Sequence, residues 1–447
     1  MIKKITALVC VAAMLLICSG CSLNFFSVES LMSPPTQSGK NGEVQKAFKK
    51  LMTGKNIQLK TPAKGDYQSA FVLFDINNDS VEEALVFYTD STIDASVRMA
   101  LLECINETWV LSADVKGAGS GIYDVGFYDL NYDGKYEIFV GWSLFDNQTT
   151  KVISVYDITP GETGIFTLNT LGNEYYNEKS YTDFNGDGKT DLLLVYLDDS
   201  AAVQKSYFRC FSLSENSEFV KYGEVRIDSS IFSVAQIQSD TVNVDGSVER
   251  IFIDCMKTDS TMFTEILYWD SQKLKPVRGV KRPAETTLRS SRIYCSDIDG
   301  DGILEIPANT ILYGNEKNLS VKISGVSYTF TMLKWLNTYG DKSEGNITTL
   351  FNPVDSYLYR ITRNSEVTVR YDIYKQSLLF CKWDDTEKVI KDELFSITYR
   401  DNQANDEELG DELYSADSGV YYYSVTSYGD DFGITDEGIK SSFIIIN

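Results

Sequence analysis

The stretch that decides the fold is DFNGDGKTD at residues 183–191, which is followed at once by the apolar run LLLVY at residues 192–196. Oxygen-bearing side chains occupy positions 1, 3, 5 and 9 of this stretch: Asp183, Asn185, Asp187 and Asp191. In a tight loop these side chains converge on one point, and the carbonyl of position 7 can join them. Ca²⁺ binds six to eight oxygens at about 2.3 to 2.6 Å, so the spacing predicts a calcium loop.

The same pattern recurs along the chain. Three further segments carry oxygen ligands at positions 1, 3, 5 and 9, and a fifth, degenerate copy lies at residues 241–249. The starts of the five copies are 54, 54, 58 and 56 residues apart. Such even spacing indicates a repeat architecture. The three further ligand sets are Asp75, Asn77, Asp79 and Glu83; Asp129, Asn131, Asp133 and Glu137; and Asp297, Asp299, Asp301 and Glu305.

Two features of the loops narrow their interpretation. Position 6 is Gly in four copies and Ser80 in the first, which suits the positive φ of a sharp reversal. An EF-hand would need Glu at position 12, where these loops have Val86, Val140, Leu194 and Ala308. Metal-free Asx-type turns remain the alternative to calcium loops. We favour calcium, because crowded carboxylates repel one another without a cation.

The fifth copy, residues 241–249, is poorer in ligands than the others. Thr241 replaces the first acid and Asn243 occupies position 3, which leaves two carboxylates. We therefore expect this loop to bind calcium weakly or not at all.

Short β-branched and aromatic runs on both sides of the loops predict strands, as at residues 71–74, 84–88, 138–140 and 192–196. The resulting order of strand, acidic loop and strand resembles the FG-GAP/VCBS repeats of integrin-like β-propellers, in which each repeat is a four-stranded blade. The resemblance implies a mainly β propeller over residues 43–349 with calcium at the four intact loops. A short amphipathic helix at residues 43–51 precedes the first blade.

The C-terminal part of the chain lacks acidic loops. We expect residues 350–447 to form a small α+β domain, with strands near 357–361, 367–371, 377–381, 394–398 and 420–425 and a short helix at 435–442. The competing interpretation is a single ring of seven blades, since the folded part is about seven times one repeat long.

The N-terminus predicts a lipoprotein signal peptide over residues 1–20. Lys3 and Lys4 precede an apolar run, and CSGC at residues 18–21 resembles the bacterial lipobox. The resemblance implies that Cys21 carries the lipid and holds the protein on the outer face of a bacterial cell membrane. An ordinary cleaved signal peptide is the alternative. Residues 21–42 are rich in Ser, Pro, Gly and Asn and are expected to form a flexible tether.

Composition excludes several classes of function. The 447 residues have a formal net charge of −23, which disfavours nucleic acid as a partner. The chain has no His, which excludes Ser-His-Asp and Cys-His catalysis and most zinc sites. Five cysteines remain after Cys21, with no C-x-x-C spacing, so we expect buried thiols and not a disulfide framework.

These observations favour a non-catalytic, calcium-binding surface lipoprotein that recognises a protein or glycan ligand. Aromatic residues near loop tips are candidates for stacking on sugar rings, although core packing is the favoured interpretation of each: Trp142, Phe145, Tyr175, Tyr176 and Trp269. The alternative is a calcium-dependent polysaccharide lyase or hydrolase, for which the acidic pairs Asp384–Asp385 and Asp430–Asp431 offer no evident partner base.

Overall fold

The structure is a computed structural model. It describes residues 39–446 apart from 95, 146–148, 162–163, 199–203, 241–249, 291–292, 315–318, 338–346, 362–365, 402–408 and 428–433. The signal peptide, Cys21, most of the tether, the fifth acidic loop and the pair Asp430–Asp431 therefore lie outside the described residues. In the part that is described, no helix is long and apolar enough to cross a membrane.

Sheet 1 and the first helix belong to one compact unit of the chain. The sheet consists of β1 (Ile57–Leu59), β2 (Phe71–Phe74), β3 (Glu83–Asp90), β4 (Val97–Ile105) and β5 (Thr108–Lys116). Strands β1 and β2 both pair with β3, and β4 and β5 follow as antiparallel neighbours.

Helix α1 (Lys40–Leu51) covers sheet 1 and confirms the predicted amphipathic helix. Val44 and Phe48 are buried, and the Phe48 ring lies 5.2 Å from that of Tyr88 in an edge-to-face arrangement. Leu51, which the helical pattern places on the same apolar face, is instead 41% exposed because it is the last residue of the helix.

The second compact unit contains five further sheets of four or five antiparallel strands. Sheets 2 and 3 are plain four-stranded meanders in chain order. Sheet 2 consists of β6 (Gly121–Tyr128), β7 (Glu137–Ser143), β8 (Lys151–Pro160) and β9 (Phe166–Tyr176), and sheet 3 of β10 (Glu178–Thr182), β11 (Asp191–Asp198), β12 (Lys205–Leu213) and β13 (Phe219–Ile227).

Sheet 4 repeats this order, with a short fifth strand paired to its third. It consists of β14 (Ser233–Ser239), β15 (Arg250–Thr258), β16 (Thr261–Asp270), β17 (Lys275–Arg278) and β18 (Arg289–Ser290). The short helix α2 (Pro283–Thr286) lies between β17 and β18 in the chain.

Sheets 5 and 6 are completed by strands that are distant in sequence. Sheet 5 has the order β19 (Ile306–Thr310), β22 (Thr331–Leu336), β23 (Ile347–Asn352), β24 (Tyr357–Arg360) and β30 (Phe443–Ile445), with a separate hairpin of β20 (Ser320–Ile323) and β21 (Val326–Thr329). Sheet 6 has the order β25 (Val367–Asp372), β26 (Ser377–Asp384), β27 (Val389–Asp401), β29 (Gly419–Val425) and β28 (Asp411–Ala416). Helix α3 (Asp436–Ser442) precedes β30.

Within the second unit, sheets that follow one another in the chain share hydrophobic clusters. Strand β11 illustrates why: Leu192 and Leu194 pack in a cluster with sheet 2, whereas Leu193 and Val195 pack in a cluster with sheet 4. Successive side chains of a strand point to opposite faces, so an unbroken apolar run serves a strand that is covered on both sides. Four-stranded meanders that stack in this way are β-propeller blades. The predicted fold class, mainly β with propeller blades, is confirmed.

The structure does not separate residues 350–447 as a domain. Sheet 5 takes strands from both sides of the expected 349/350 boundary, because β23 pairs with β22 and the C-terminal β30 pairs with β24. One hydrophobic cluster likewise joins Phe330 and Met332 to residues of sheet 6 such as Phe380. The strands and the short helix expected in this region are present, but they complete blades of the same series. Six sheets of at least four strands occur among the described residues.

Candidate functional site

Three of the acidic loops each connect two neighbouring strands of one sheet, and they do so in three different sheets. Loop 129–137 joins β6 to β7, loop 183–191 joins β10 to β11, and loop 75–83 joins β2 to β3. Ahead of β19, loop 297–305 is closed by an isolated bridge in which Ser296 pairs with Glu305. The position 9 acid thus stands at or beside the start of a buried strand in all four loops.

Loop 183–191 is held in shape by hydrogen bonds from its own backbone N–H groups to its own side chains. The Asp183 carboxylate accepts hydrogen bonds from the backbone N–H groups of Gly186 at 2.8 Å and Gly188 at 2.9 Å. Asn185 Oδ1 accepts from Asp187 N–H, and Asp187 Oδ1 accepts from Lys189 N–H, each at 2.9 Å. These nested Asx turns fix the backbone, and they are the turns that the metal-free alternative to a calcium loop predicts.

The same bonds recur in the other loops. The position 1 acid accepts from the position 6 N–H at 2.8 Å in loop 75–83, 3.0 Å in loop 129–137 and 2.9 Å in loop 297–305. The position 6 residue has a positive φ in each, from 73° at Ser80 to 87° at Gly302. Three of the four loops use Gly there, because L side chains rarely adopt this backbone conformation.

Burial of the position 9 acid is the main electrostatic feature of the loops. Glu83, Glu137, Asp191 and Glu305 are at most 3% exposed. Burial raises the pKa of Glu137 to about 7, and the nearby Asp129 and Asp133 charges add to the shift. A hydrogen bond from Leu130 N–H at 3.0 Å stabilises the ionised carboxylate and offsets part of the rise.

Asp191 and Glu305 repeat this behaviour. Burial raises the pKa of each to about 7, although Phe184 N–H and Ile298 N–H donate to them at 3.0 and 3.1 Å. In loop 297–305 the charges of three aspartates contribute to the rise. Loops 129–137, 183–191 and 297–305 therefore each hold a buried carboxylate that at neutral pH requires either a proton or a nearby cation.

Loop 297–305 brings its acids closest together. Ligand oxygens of Asp297, Asp299 and Glu305 all lie within 4.8 Å of one another, and this is the one such group of three or more acidic or thiol side chains among the described residues. Ca²⁺–O distances of about 2.3 to 2.6 Å place opposite ligands about 4.6 to 5.2 Å apart, so the cluster has the dimensions of a calcium shell. Asp301 accepts from Ile303 N–H at 2.8 Å.

The other three loops differ from it at position 3, which is an amide. Asn131 Nδ2 lies 3.4 Å from Asp133 Oδ2, and Asn77 Nδ2 lies 3.0 Å from Asp79 Oδ2. In these two loops, an oxygen of the position 5 aspartate accepts a hydrogen bond from the position 3 amide. In loop 75–83, Asp75 and Glu83 belong to the first compact unit, whereas Asn77 and Asp79 belong to the second.

The aromatic candidates separate into two groups. Trp142 and Tyr176 are fully buried, and the Trp142 indole donates to Ser154 Oγ at 3.0 Å, so both are core residues. Trp269 packs against Phe184 and Tyr222. Phe145 is 63% exposed and Tyr175 is 51% exposed, so these two rings remain available for stacking.

The thiols behave as expected from the cysteine count. All five described cysteines are free, and Cys210, Cys255, Cys295 and Cys381 are buried. Burial raises the pKa of each of these four thiols, so they are unreactive at neutral pH.

Sequence reasoning missed a second group of polar residues. Lys151, at the start of β8, is only 7% exposed and lines a cavity together with Tyr123, Asn177 and Glu178. These residues come from β6, β8, β10 and the turn before β10, so no local motif connects them. The only sequence signal is a lysine at the edge of the apolar run VISVY at residues 152–156.

The comparisons with known proteins leave the family open. No family model and no curated protein matches the chain. Among solved structures, Sqt1 of Saccharomyces cerevisiae is 7% identical with a TM-score of 0.29, over 67% of this chain and 78% of that one. A periplasmic gluconolactonase of Pseudomonas aeruginosa is 12% identical with a TM-score of 0.28, over 76% of this chain and 95% of that one. Likenesses this weak carry no argument, so the fold class rests on the strand pairing.

Proposed function

We propose that this protein is a calcium-binding, lipid-anchored surface protein that recognises a protein or glycan ligand without catalysis. In this proposal its four intact loops are calcium loops of the FG-GAP/VCBS type. The observation that carries the calcium assignment is the group of Asp297, Asp299 and Glu305, whose oxygens lie within 4.8 Å of one another with Glu305 buried.

Calcium suits this donor set chemically. The side chains are hard oxygen donors, with neither His nor Cys among them, which favours Ca²⁺ over Zn²⁺ or Cu²⁺. A bound divalent cation would also lower the cost of burying an ionised Glu137, Asp191 or Glu305. In this role calcium braces the connection between the first and second strands of a blade.

Calorimetric titration tests this assignment. The chain without its first 21 residues is titrated with Ca²⁺, and thermal unfolding is compared in calcium and in chelator. We expect at least two sites and a lower melting temperature in chelator, because a ligand that binds only the folded state stabilises it. Fewer than two sites, or equal melting temperatures, would refute calcium-braced blades.

The recognition role is proposed from the exposed aromatic rings. Phe145 and Tyr175 are each more than half exposed, and both lie in sheet 2 or the loop that follows β7. A screen of glycans and surface proteins, with Phe145→Ala and Tyr175→Ala in parallel, identifies the ligand class. Binding that is unaffected by either substitution would remove these rings from the proposal.

The lipid anchor is proposed from CSGC at residues 18–21. Cys21→Ser should abolish fatty-acid labelling and release the protein from bacterial membranes, whereas Cys18→Ser should leave labelling intact. Labelling that persists in Cys21→Ser would show that another residue carries the lipid.

We propose no catalytic role for the pair Asp384–Asp385. Backbone N–H groups of Glu387 and Thr386 lower the pKa of Asp384, and Lys388, 2.7 Å away, lowers the pKa of Asp385. Exposed carboxylates held in the ionised form are poor proton donors at neutral pH. Assay against a panel of acidic and neutral polysaccharides tests this, and any cleavage product would contradict it.

A further inference from the structure

A cavity of about 260 Å³ lies in the second compact unit and is lined by none of the acidic-loop residues. Its wall includes Tyr123 of β6, Lys151 of β8, Glu178 of β10 and Ser233 of β14. At about 30 Å³ per water molecule, the space holds eight or nine waters. It can therefore admit a single small molecule.

Lys151 gives this cavity its chemical character. The ammonium donates to the backbone carbonyl of Asn177 at 2.5 Å and lies 4.2 Å from the centre of the Tyr123 ring and 5.1 Å from that of Tyr176. Burial lowers its pKa. Among the described residues, no carboxylate forms an ion pair with it. A buried ammonium without a counter-ion is costly, and an anion in the cavity would supply one.

The charges of the local carboxylates Glu178 and Asp124 favour the ammonium, but they offset the effect of its burial only in part. Lys179 Nζ lies 2.7 and 2.6 Å from the two oxygens of Asp124, so this carboxylate is already paired. Glu178 lines the cavity without reaching ion-pair distance of Lys151. It remains available to accept hydrogen bonds from hydroxyl groups of a ligand.

We propose that this cavity binds a small hydroxylated carboxylate of the sugar-acid class, with the ligand carboxylate on Lys151 Nζ and its hydroxyl groups on Glu178 and the lining serines. The hydroxyl-bearing wall residues Ser143, Thr149 and Ser233 can donate or accept. This inference goes beyond the proposed function, and it does not depend on whether the acidic loops hold calcium.

Three probes separate the parts of the proposal on the unmodified folded chain. D-glucuronate carries both the carboxylate and the hydroxyl groups, D-glucose lacks the carboxylate, and cyclohexanecarboxylate lacks the hydroxyl groups. By calorimetry we expect saturable binding of glucuronate and at least tenfold weaker binding of the other two. No saturable glucuronate binding up to about 10 mM, which would nearly saturate a site with a Kd of about 1 mM, would overturn the proposal. Equal binding of glucose would overturn it too.

Substitutions assign the site. Lys151→Met removes the ammonium from a buried position, and we expect at least a tenfold loss of glucuronate affinity with the melting temperature retained. Lys221→Met is the matched control, because Lys221 is 45% exposed and pairs with Glu224 on the surface. Glu178→Gln keeps an acceptor but removes a negative charge, so glucuronate should bind at least as tightly as before. A folded Lys151→Met protein with unchanged affinity would contradict the proposal. The probe comparison stands even if this variant does not fold.

Discussion

Glu305 Oε2 accepts a hydrogen bond from the backbone N–H of Ile298 at 3.1 Å, across the width of its acidic loop. The bond ties the start of β19 to the second residue of the loop, and Glu137 with Leu130 and Asp191 with Phe184 repeat it. The position 9 acid therefore has two roles. It closes the loop through one oxygen, and it contributes negative charge beside the aspartates of the same loop.

Glu305→Gln separates these roles. The amide oxygen can still accept from Ile298 N–H, but the charge is lost. We expect the calcium affinity of this loop to fall at least tenfold, or about 1.4 kcal/mol. In chelator at pH 8 the variant should be at least as stable as the parent, because a neutral amide replaces an ionised carboxylate that is 3% exposed.

Calorimetry and chemical unfolding measure these two effects of Glu305→Gln. Glu285→Gln is the matched control, since its side chain is 66% exposed and pairs with Arg282. A variant at position 305 that binds calcium normally would exclude this carboxylate from the metal shell.

The positive φ at position 6 predicts opposite changes in stability for two substitutions. Gly188 has a φ of 81°, and no atom lies within 4 Å of an added Cβ, so Gly188→Ala costs only conformational energy. We expect a loss of about 1 to 2 kcal/mol of unfolding free energy. Ser80 adopts a φ of 73° in loop 75–83, so Ser80→Gly should stabilise by up to about 1 kcal/mol.

Urea unfolding in chelator measures both substitutions without a contribution from calcium. Changes of the same sign at the two positions would contradict the backbone argument.

Arg289 of β18 and Asp254 of β15 form a buried ion pair within sheet 4. Arg289 Nη2 lies 2.7 Å from Asp254 Oδ1, and the two side chains are 0% and 1% exposed. Arg289→Met would leave the carboxylate without its cation, which typically costs about 3 to 5 kcal/mol. Denaturant unfolding measures the loss.

Arg282→Met provides the comparison for that loss. Arg282 is 78% exposed and lies 3.4 Å from Glu285. Because exposed pairs contribute about 0 to 1 kcal/mol, the effect should be small. Equal losses in the two variants would show that the buried pair is dispensable.

Asp355 predicts a pH dependence of stability. Burial raises its pKa to about 6 from an ordinary value of 3.8, although Asn352 donates to it and the Arg400 charge opposes the shift. The folded state therefore holds this proton more tightly than the unfolded state. The stability it contributes is complete below pH 3.8 and is lost as the pH rises through 6.

Asp355→Asn should remove this contribution. Unfolding free energies between pH 4 and 7, measured at constant ionic strength, should decline less steeply in the variant than in the parent. Asp392→Asn, at an exposed position of β27, serves as control. An unchanged slope in Asp355→Asn would assign the pH dependence to other groups.

The local content of the fold could be predicted from the sequence. The acidic loops, the flanking strands and α1 all follow from short-range patterns, because ligand spacing, turn residues and strand alternation act within about ten residues. The unbroken apolar run from Leu192 to Val195 is also typical of a strand that is buried on both faces. The pairing of β30 with β24 does not follow, since it joins residues that are far apart in the chain, such as Leu358 and Ile444, and no local preference encodes it.

The repeat, the oxygen chemistry of its loops and the exclusion of His-based catalysis all follow from the residues alone. Only the tertiary structure decided which residues of the pattern are buried together. Tyr175 and Tyr176 are adjacent in β9, yet one is 51% exposed and the other is fully buried, because successive side chains of a strand point to opposite faces. Likewise, Lys151 lines a cavity together with Tyr123 and Glu178 only because separate strands converge there. The electrostatic cost of burying its ammonium depends on these neighbours, which are not adjacent in sequence.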